Sequence, residues 1–145
     1  MRRISIFTLI AVSLWAPSAQ AATGSSWDQV GPQWASVNTC DPGSHTVGVR
    51  ASQAGDSDDR RMFTRFSLQW LKSGAWQSVP GAGSGWLDAG AGAWLARETG
   101  WNQTFAPAPA ATSYRIRGVV EMQWREGGGV KRSATLVTPQ ACDLR

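Results

Sequence analysis

Residues 114–125 read Tyr114-Arg115-Ile116-Arg117-Gly118-Val119-Val120-Glu121-Met122-Gln123-Trp124-Arg125. Tyr114, Ile116, Val120, Met122 and Trp124 fall on one side of a period of two, with Gly118 among them. Arg115, Arg117, Glu121, Gln123 and Arg125 fall on the other, where Val119 is the lone apolar member. A strand sends alternate side chains to opposite faces, so this stretch is a strand with one buried and one wet face. Glu126-Gly127-Gly128-Gly129 reads as a turn, and 130–138 as the returning strand. A three-residue loop at 126–128 predicts Trp124 opposite Val130, Val120 opposite Ala134 and Gly118 opposite Leu136, with Arg132 opposite Met122. A slip of one would set Trp124 against Lys131 and turn the apolar set toward water.

The same period recurs upstream. In 62–72, Met62, Thr64, Phe66, Leu68 and Trp70 share a face, opposite Arg65, Ser67 and Gln69, with Phe63 and Leu71 as apolar ends of that second face. Lys72-Ser73-Gly74-Ala75 is a tight turn into 76–79, a hairpin. In 46–51, Val47, Val49 and Ala51 alternate with Thr46, Gly48 and Arg50. Residues 80–93 are rich in Gly and Ala with weak strand character, 94–98 reads as a short strand, and Ala106-Pro107-Ala108-Pro109 as a loop. Residues 22–39 look irregular, with Trp27 and Trp34 as anchors onto the body, and Asp41-Pro42-Gly43-Ser44 is a turn. No amphipathic helix of useful length appears. The expected fold is all-β: an antiparallel β-sandwich occupying 40–145.

The N-terminus sets the compartment. Arg2 and Arg3 precede an apolar run over 4–16, and Ala19-Gln20-Ala21 supplies a small-x-small cleavage site. Thirteen residues fall short of the roughly 20 that span a bilayer. Residues 1–21 therefore read as a signal peptide and the product as secreted or periplasmic, with no membrane span in the mature chain. Ser5 weakens a twin-arginine route, and no cysteine follows the cleavage site as a lipoprotein needs. Residues 22–145 carry 12 basic and 10 acidic side chains, a net charge of +2 that argues against nucleic acid as partner. Cys40 and Cys142 are an even pair in an oxidising compartment, so a Cys40–Cys142 disulfide is expected, and bringing the two together favours an even number of strands or an extra excursion by residues 40–46.

The run 114–119, Trp124, the glycine turn and a last strand closing with Thr138 and Cys142 resemble the end of an immunoglobulin-like or fibronectin type III-like domain. More narrowly, they are similar to small exported bacterial proteins of that shape with no assigned function. The resemblance implies that Tyr114 forms a tyrosine corner. The chain departs from true immunoglobulin domains in having no Cys-Trp-Cys set between its sheets.

Little in the sequence points to catalysis. His45 is the one histidine, no Gly-x-Ser-x-Gly elbow is present, and no Cys-x-x-Cys. The carboxylate pairs Asp88 with Glu98 and Glu121 with Glu126 are the only glycosidase-like candidates, and Glu121 beside Arg117 and Arg125 fits a cross-strand salt bridge better. Asp56, Asp58 and Asp59 lack EF-hand spacing and precede Arg60 and Arg61, so they read as a solvated loop. No metal and no cofactor are expected. Eight tryptophans fall in 22–145; Trp70 and Trp124 belong to inward faces, whereas Trp86, Trp94 and Trp101 fall in or beyond the glycine-rich region. With Asp88 and Asn102 they form the candidate ligand-binding set, stacking on sugar rings while the polar neighbours bond hydroxyls. The expected function is a non-enzymatic exported module binding a polysaccharide or other cell-envelope component. The alternative is a protein-interaction module using a sheet edge or the outer face of Arg115, Arg117, Arg125 and Lys131, a basic stripe suited to an anionic envelope polymer. A small hydrolase is a third reading.

Overall fold

The computed structural model describes residues 32–56, 58–109 and 112–145. The expected signal peptide over 1–21, its expected cleavage site and Trp27 lie outside these residues, as do residues 110 and 111, where an upstream partner for a Tyr114 corner would fall. The described residues form eight strands: β1 Trp34–Asp41, β2 Thr46–Gln53, β3 Arg61–Lys72, β4 Ala75–Ala91, β5 Arg97–Thr104, β6 Tyr114–Glu126, β7 Gly129–Val137 and β8 Cys142–Leu144. Among them no helix is long and apolar enough to cross a membrane.

All the pairings are antiparallel. They build a three-stranded sheet in the order β1-β2-β5 and a five-stranded sheet in the order β4-β3-β6-β7, with β8 also on β6. β3 and β6 lie at the centre of the larger sheet because each is a clean alternation. Met62, Thr64, Phe66 and Leu68 from β3, and Val120, Met122 and Trp124 from β6, are fully buried against Val47, Val49 and Ala51 of β2. The sheets are also stitched by polar bonds. Trp124 Nε1 donates to the Ala54 carbonyl at 2.9 Å, Gln53 Nε2 to the Gln123 carbonyl at 2.9 Å, and Thr64 Oγ1 to Gln53 Oε1 at 3.0 Å. Each bond satisfies a buried group that would otherwise be costly.

β7 and β8 occupy one edge of β6 in succession. Between them Thr138 is buried and fills the break: Gly118 N donates to Thr138 Oγ1 at 3.0 Å, Thr138 Oγ1 donates to the Gln140 carbonyl at 2.8 Å, and Thr138 N returns a bond to the Gly118 carbonyl at 3.0 Å. β8 then places Cys142 opposite Ile116 and bonds it to Cys40 at the end of β1. Six strands separate the two cysteines, the even number that brings the chain back to the same end.

Four local expectations need correction. Trp34 onward is strand, although the sequence reads as irregular to residue 39; polar residues and a bulge between Val37 and Thr39 hide the alternation of this edge. Most of the glycine-rich 80–93 is not weak: residues 80–91 belong to a 17-residue strand, whose irregular pairing with β3 is accommodated by positive φ at Gly81, Gly85 and Gly90. The 94–98 strand is displaced to Arg97–Thr104, because 92–95 close a turn through Leu95 N to the Gly92 carbonyl, with Trp94 at φ 63°. The β6–β7 register also differs. A two-residue turn at Gly127-Gly128 sets Arg125 opposite Val130, and a bulge then sets Trp124 opposite Arg132, Met122 opposite Ala134 and Val120 opposite Leu136. The shift from the expected register is two residues, so every side chain keeps its face.

Candidate functional site: an arginine and tryptophan face

The odd-numbered residues of β3 and β6 point away from the core, and their antiparallel register fixes who meets whom. Arg65 lies opposite Glu121, Gln69 opposite Arg117, and Phe63 opposite Gln123. β4 lies along β3 and places Trp86 opposite Arg65 and Trp76 opposite Leu71. Flat rings and planar guanidinium groups are thereby interleaved across three strands.

Each of three arginines is clamped along one edge and covered on one plane. Arg117 donates from Nε and Nη2 to Gln69 Oε1 at 2.9 and 2.8 Å, and its Cζ lies 4.2 Å from the Trp76 ring centre. Arg65 donates from Nε and Nη2 to Glu121 at 2.8 and 2.7 Å, with its Cζ 4.7 Å from Trp86. Arg125 donates from the same two nitrogens to Gln123 Oε1 and lies 4.2 Å from Phe63 and 4.9 Å from Trp86. In all three the Nη1 group makes no hydrogen bond with the described residues. A guanidinium has five N–H donors, so each retains three, two of them on Nη1. Stacked arginines and aromatic rings attract electrostatically, and such contacts are ordinarily found about once per 70–80 residues. Four of them on one sheet face mark that face as unusual.

Charge is not balanced locally. Glu121 neutralises Arg65 and raises its already high pKa by accepting its hydrogen bonds. Arg117 and Arg125 instead face the neutral amides of Gln69 and Gln123, so both keep an uncompensated positive charge. Arg61 is held by Asp88, and Arg115 lies opposite Asp143. The face thus carries five arginines against three carboxylates, a surplus of two. Along the sheet the backbone positions of Arg117, Arg65 and Arg125 follow one another every four residues, about 13 Å of strand, while the Arg65 and Arg125 guanidinium groups draw together over Trp86, their Cζ atoms 4.7 and 4.9 Å from its ring.

The residues singled out from the sequence do not form one surface. Trp86 and Asp88 belong to this face, but Asp88 is engaged: Arg61 donates to it at 2.8 Å and Gly90 N at 2.8 Å, and the Arg61 guanidinium, foremost, holds its carboxyl below the usual range. Trp94 stands 67% exposed on the β4–β5 turn. Trp101 pairs with Val49 and packs against the core from the other sheet. Asn102 lies opposite Gly48 on the outer side of that sheet, where it joins Asn38, Arg50, Gly100 and Trp101 around a polar hollow. The cross-strand salt bridge expected at Glu121 exists, but its partner is Arg65 on β3. Lys131 sits 3.8 Å from Glu126, so it belongs to the turn. The acidic loop is also internally engaged: Asp56 is buried and accepts from Arg60, which also pairs with Asp58.

Sequence reading missed Arg65, Gln69, Phe63 and Trp76 as parts of one site. Parity alone puts Arg65 and Gln69 on the outer face; only the β3–β6 register shows what they meet. Trp76 was disguised by its position beside a turn.

Comparison of the chain with protein-family models, with curated proteins and with solved structures finds no match.

Proposed function

We propose that this chain is an exported, non-enzymatic binding module that grips an extended anionic polymer of the cell envelope with the outer face of its five-stranded sheet. The observation that carries the reading is the row of arginines, each fixed along its Nε–Nη2 edge and covered by an aromatic ring, each with Nη1 unspent. Holding a guanidinium in place before binding removes much of the side-chain entropy lost on association. A planar donor pair with surplus charge suits carboxylate, sulfate or phosphate groups. Three guanidinium groups set in a row along the sheet suit a chain of repeating charges better than a single small anion.

The architecture supports an immunoglobulin-like reading of the scaffold. With β1 to β7 taken as strands A, B, C, C′, E, F and G, the sheets become A-B-E and C′-C-F-G, a sandwich in which the fourth strand joins the C-F-G sheet. The disulfide between the end of the first strand and β8 is this chain's own addition.

Calorimetric titration of the mature oxidised protein with polygalacturonate and with neutral dextran tests the reading. Saturable binding of the uronate polymer that weakens with salt, and none of dextran, is the expected result. Equal binding of both, or binding of dextran alone, would return the weight to tryptophan stacking on neutral sugars. No binding of any polyanion, with heparin included as a sulfated probe, would refute it.

A further inference from the structure

A strand at the rim of a sheet offers unpaired backbone groups to any other strand unless something guards it. Three of the four rim strands are guarded. β4 is interrupted by Pro80, by left-handed Gly81, Gly85 and Gly90, and by shifts in its pairing with β3. β1 carries a bulge between Val37 and Thr39 and ends at the disulfide. β5 opens on the charged pair Arg97 and Glu98 and is interrupted by Gly100. β7 differs. Past Gly129 it has no glycine or proline, and its pairing with β6 is regular from Arg132 to Val137. No described residue pairs with its outer rim.

The two cations of β7 are drawn off that rim. Lys131 sits 3.8 Å from Glu126 in the turn, and Arg132 has its Cζ 4.3 Å from the ring centre of the buried Trp124. The rest of the strand, Ser133-Ala134-Thr135-Leu136-Val137, is uncharged, and Thr135 and Val137 are β-branched. One bond shows which of these residues face outward. Thr138 N donates to the Gly118 carbonyl at 3.0 Å, so Thr138 turns its backbone toward β6. Alternate residues of an antiparallel strand share that sense, so Leu136 and Ala134 also bond toward β6, whereas Val137, Thr135 and Ser133 present their N–H and C=O to the open rim.

We infer that this rim pairs with a second copy of the chain, β7 against β7, antiparallel about a two-fold axis through Thr135. In that register Thr135 faces Thr135 of the second copy, Ser133 faces Val137, and Ala134 faces Leu136. Lys131 and Arg132 fall beyond the shared run, opposite Pro139 and Thr138, so no like charges meet. Three facing pairs with outward backbone groups give about six hydrogen bonds. Ala134 and Leu136 pack at the margin of the core, and each meets an apolar side chain across the seam. Moving the axis two residues later would set Pro139, which has no N–H, opposite Thr135; moving it two residues earlier would bring both cations inside the pairing. A second copy is the occupant that the run itself specifies: it is self-complementary about Thr135 and has no charge with which to select a foreign strand. The pairing needs nothing from the arginine face, and either reading can fail alone.

Sedimentation equilibrium of the mature oxidised protein tests it. One strand pair is a small interface, so a weak dimer is expected, with a Kd of about 10 μM to 1 mM. Thr135→Pro removes an outward donor and leaves the bonds to β6 in place; it should weaken association about tenfold or more, the order of two lost hydrogen bonds, with an unchanged near-ultraviolet circular dichroism spectrum. Thr135→Lys and Thr135→Asp each set like charges face to face on the axis and should weaken association about two- to fivefold, whereas an equimolar mixture of those two variants should associate at least as tightly as the parent. The mixture carries the test if the proline variant does not fold. A parent that stays monomeric to about 1 mM, a folded Thr135→Pro that associates like the parent, or a mixture no tighter than either charged variant alone would overturn the inference.

Discussion

Substituting Gly118 by alanine puts one methyl group where β6 packs closely against Val49 of the facing sheet. A Cβ built there would lie 2.8 and 2.9 Å from the two γ-carbons of Val49 and 2.9 Å from Thr138 Cγ2. Carbon atoms pack at about 3.5–4.0 Å, so three contacts must each open by more than half an ångström. The neighbours cannot yield cheaply. Val49 is fully buried and stiff at χ1. Thr138 is pinned by the two bonds of its hydroxyl, and turning it would strip Gly118 N of its acceptor in a buried place. Replacing glycine within a strand favours folding by roughly 0.5–1 kcal/mol, against about 1–3 kcal/mol for overpacking and a further 1–3 kcal/mol if the bond breaks. The net expectation is a loss of about 1–3 kcal/mol, or roughly 4–12 °C in Tm for a domain of this size. Circular dichroism melts of the oxidised protein would measure it. Gly100→Ala is the control, because its methyl faces outward and meets chiefly the flexible Arg50 side chain at 3.2 Å; it should stay within about 0.5 kcal/mol. A Gly118→Ala protein as stable as the parent would refute the close packing of β6 on β2.

Removing the disulfide by Cys40→Ser with Cys142→Ser opens a 102-residue loop, and the chain-entropy account gives a loss of about 4–5 kcal/mol; a urea midpoint unchanged at equal m would contradict it. Trp124→Phe leaves the buried Ala54 carbonyl without its donor and vacates part of the core, so a loss of about 2–4 kcal/mol is expected in the same assay, against less than 0.5 kcal/mol if that bond is unimportant. Asp88→Asn carries a pH signature. The Arg61 guanidinium holds the folded-state pKa of Asp88 below its ordinary 3.8, so its contribution is present above that value and is lost as pH falls through the folded pKa. The stability gap between parent and variant should be constant from pH 7 to about pH 5 and close below 3.8; a gap that persists or widens at pH 2 would reverse the assignment.

Much of the fold was legible because two strands are unambiguous. The alternations of β3 and β6 identify the inner face, and these strands supply the largest buried side chains. What eluded sequence reading was governed by backbone departures that carry no periodic signal. Gly127 and Gly128 close a tighter turn than expected, and the bulge that restores parity has no residue signature. β4 looked unstructured because its glycines, the very residues that admit the positive φ values, also dilute its side-chain pattern. The site was only partly visible for a related reason. The basic stripe on β6 can be read from parity, but Gln69 and Gln123 become clamps, and Trp76 and Trp86 become covers, only once the strands are in register. Trp94 and Trp101, which share a composition signal with Trp86, are sent elsewhere by the turn and by the other sheet.

The central claim is that placement of the arginines, rather than net charge, makes the outer face a binding surface. Arg117 and Arg50 allow a direct comparison, since each stands on an outer sheet face and Arg→Gln at either removes one charge. The first measurement is the affinity of Arg117→Gln and Arg50→Gln for polygalacturonate at one fixed salt concentration. Arg117→Gln should weaken binding about tenfold, the order of one charge-assisted hydrogen bond, while Arg50→Gln changes it less than about twofold. Equal weakening by the two would show that the polymer senses only overall charge, and would contradict the account.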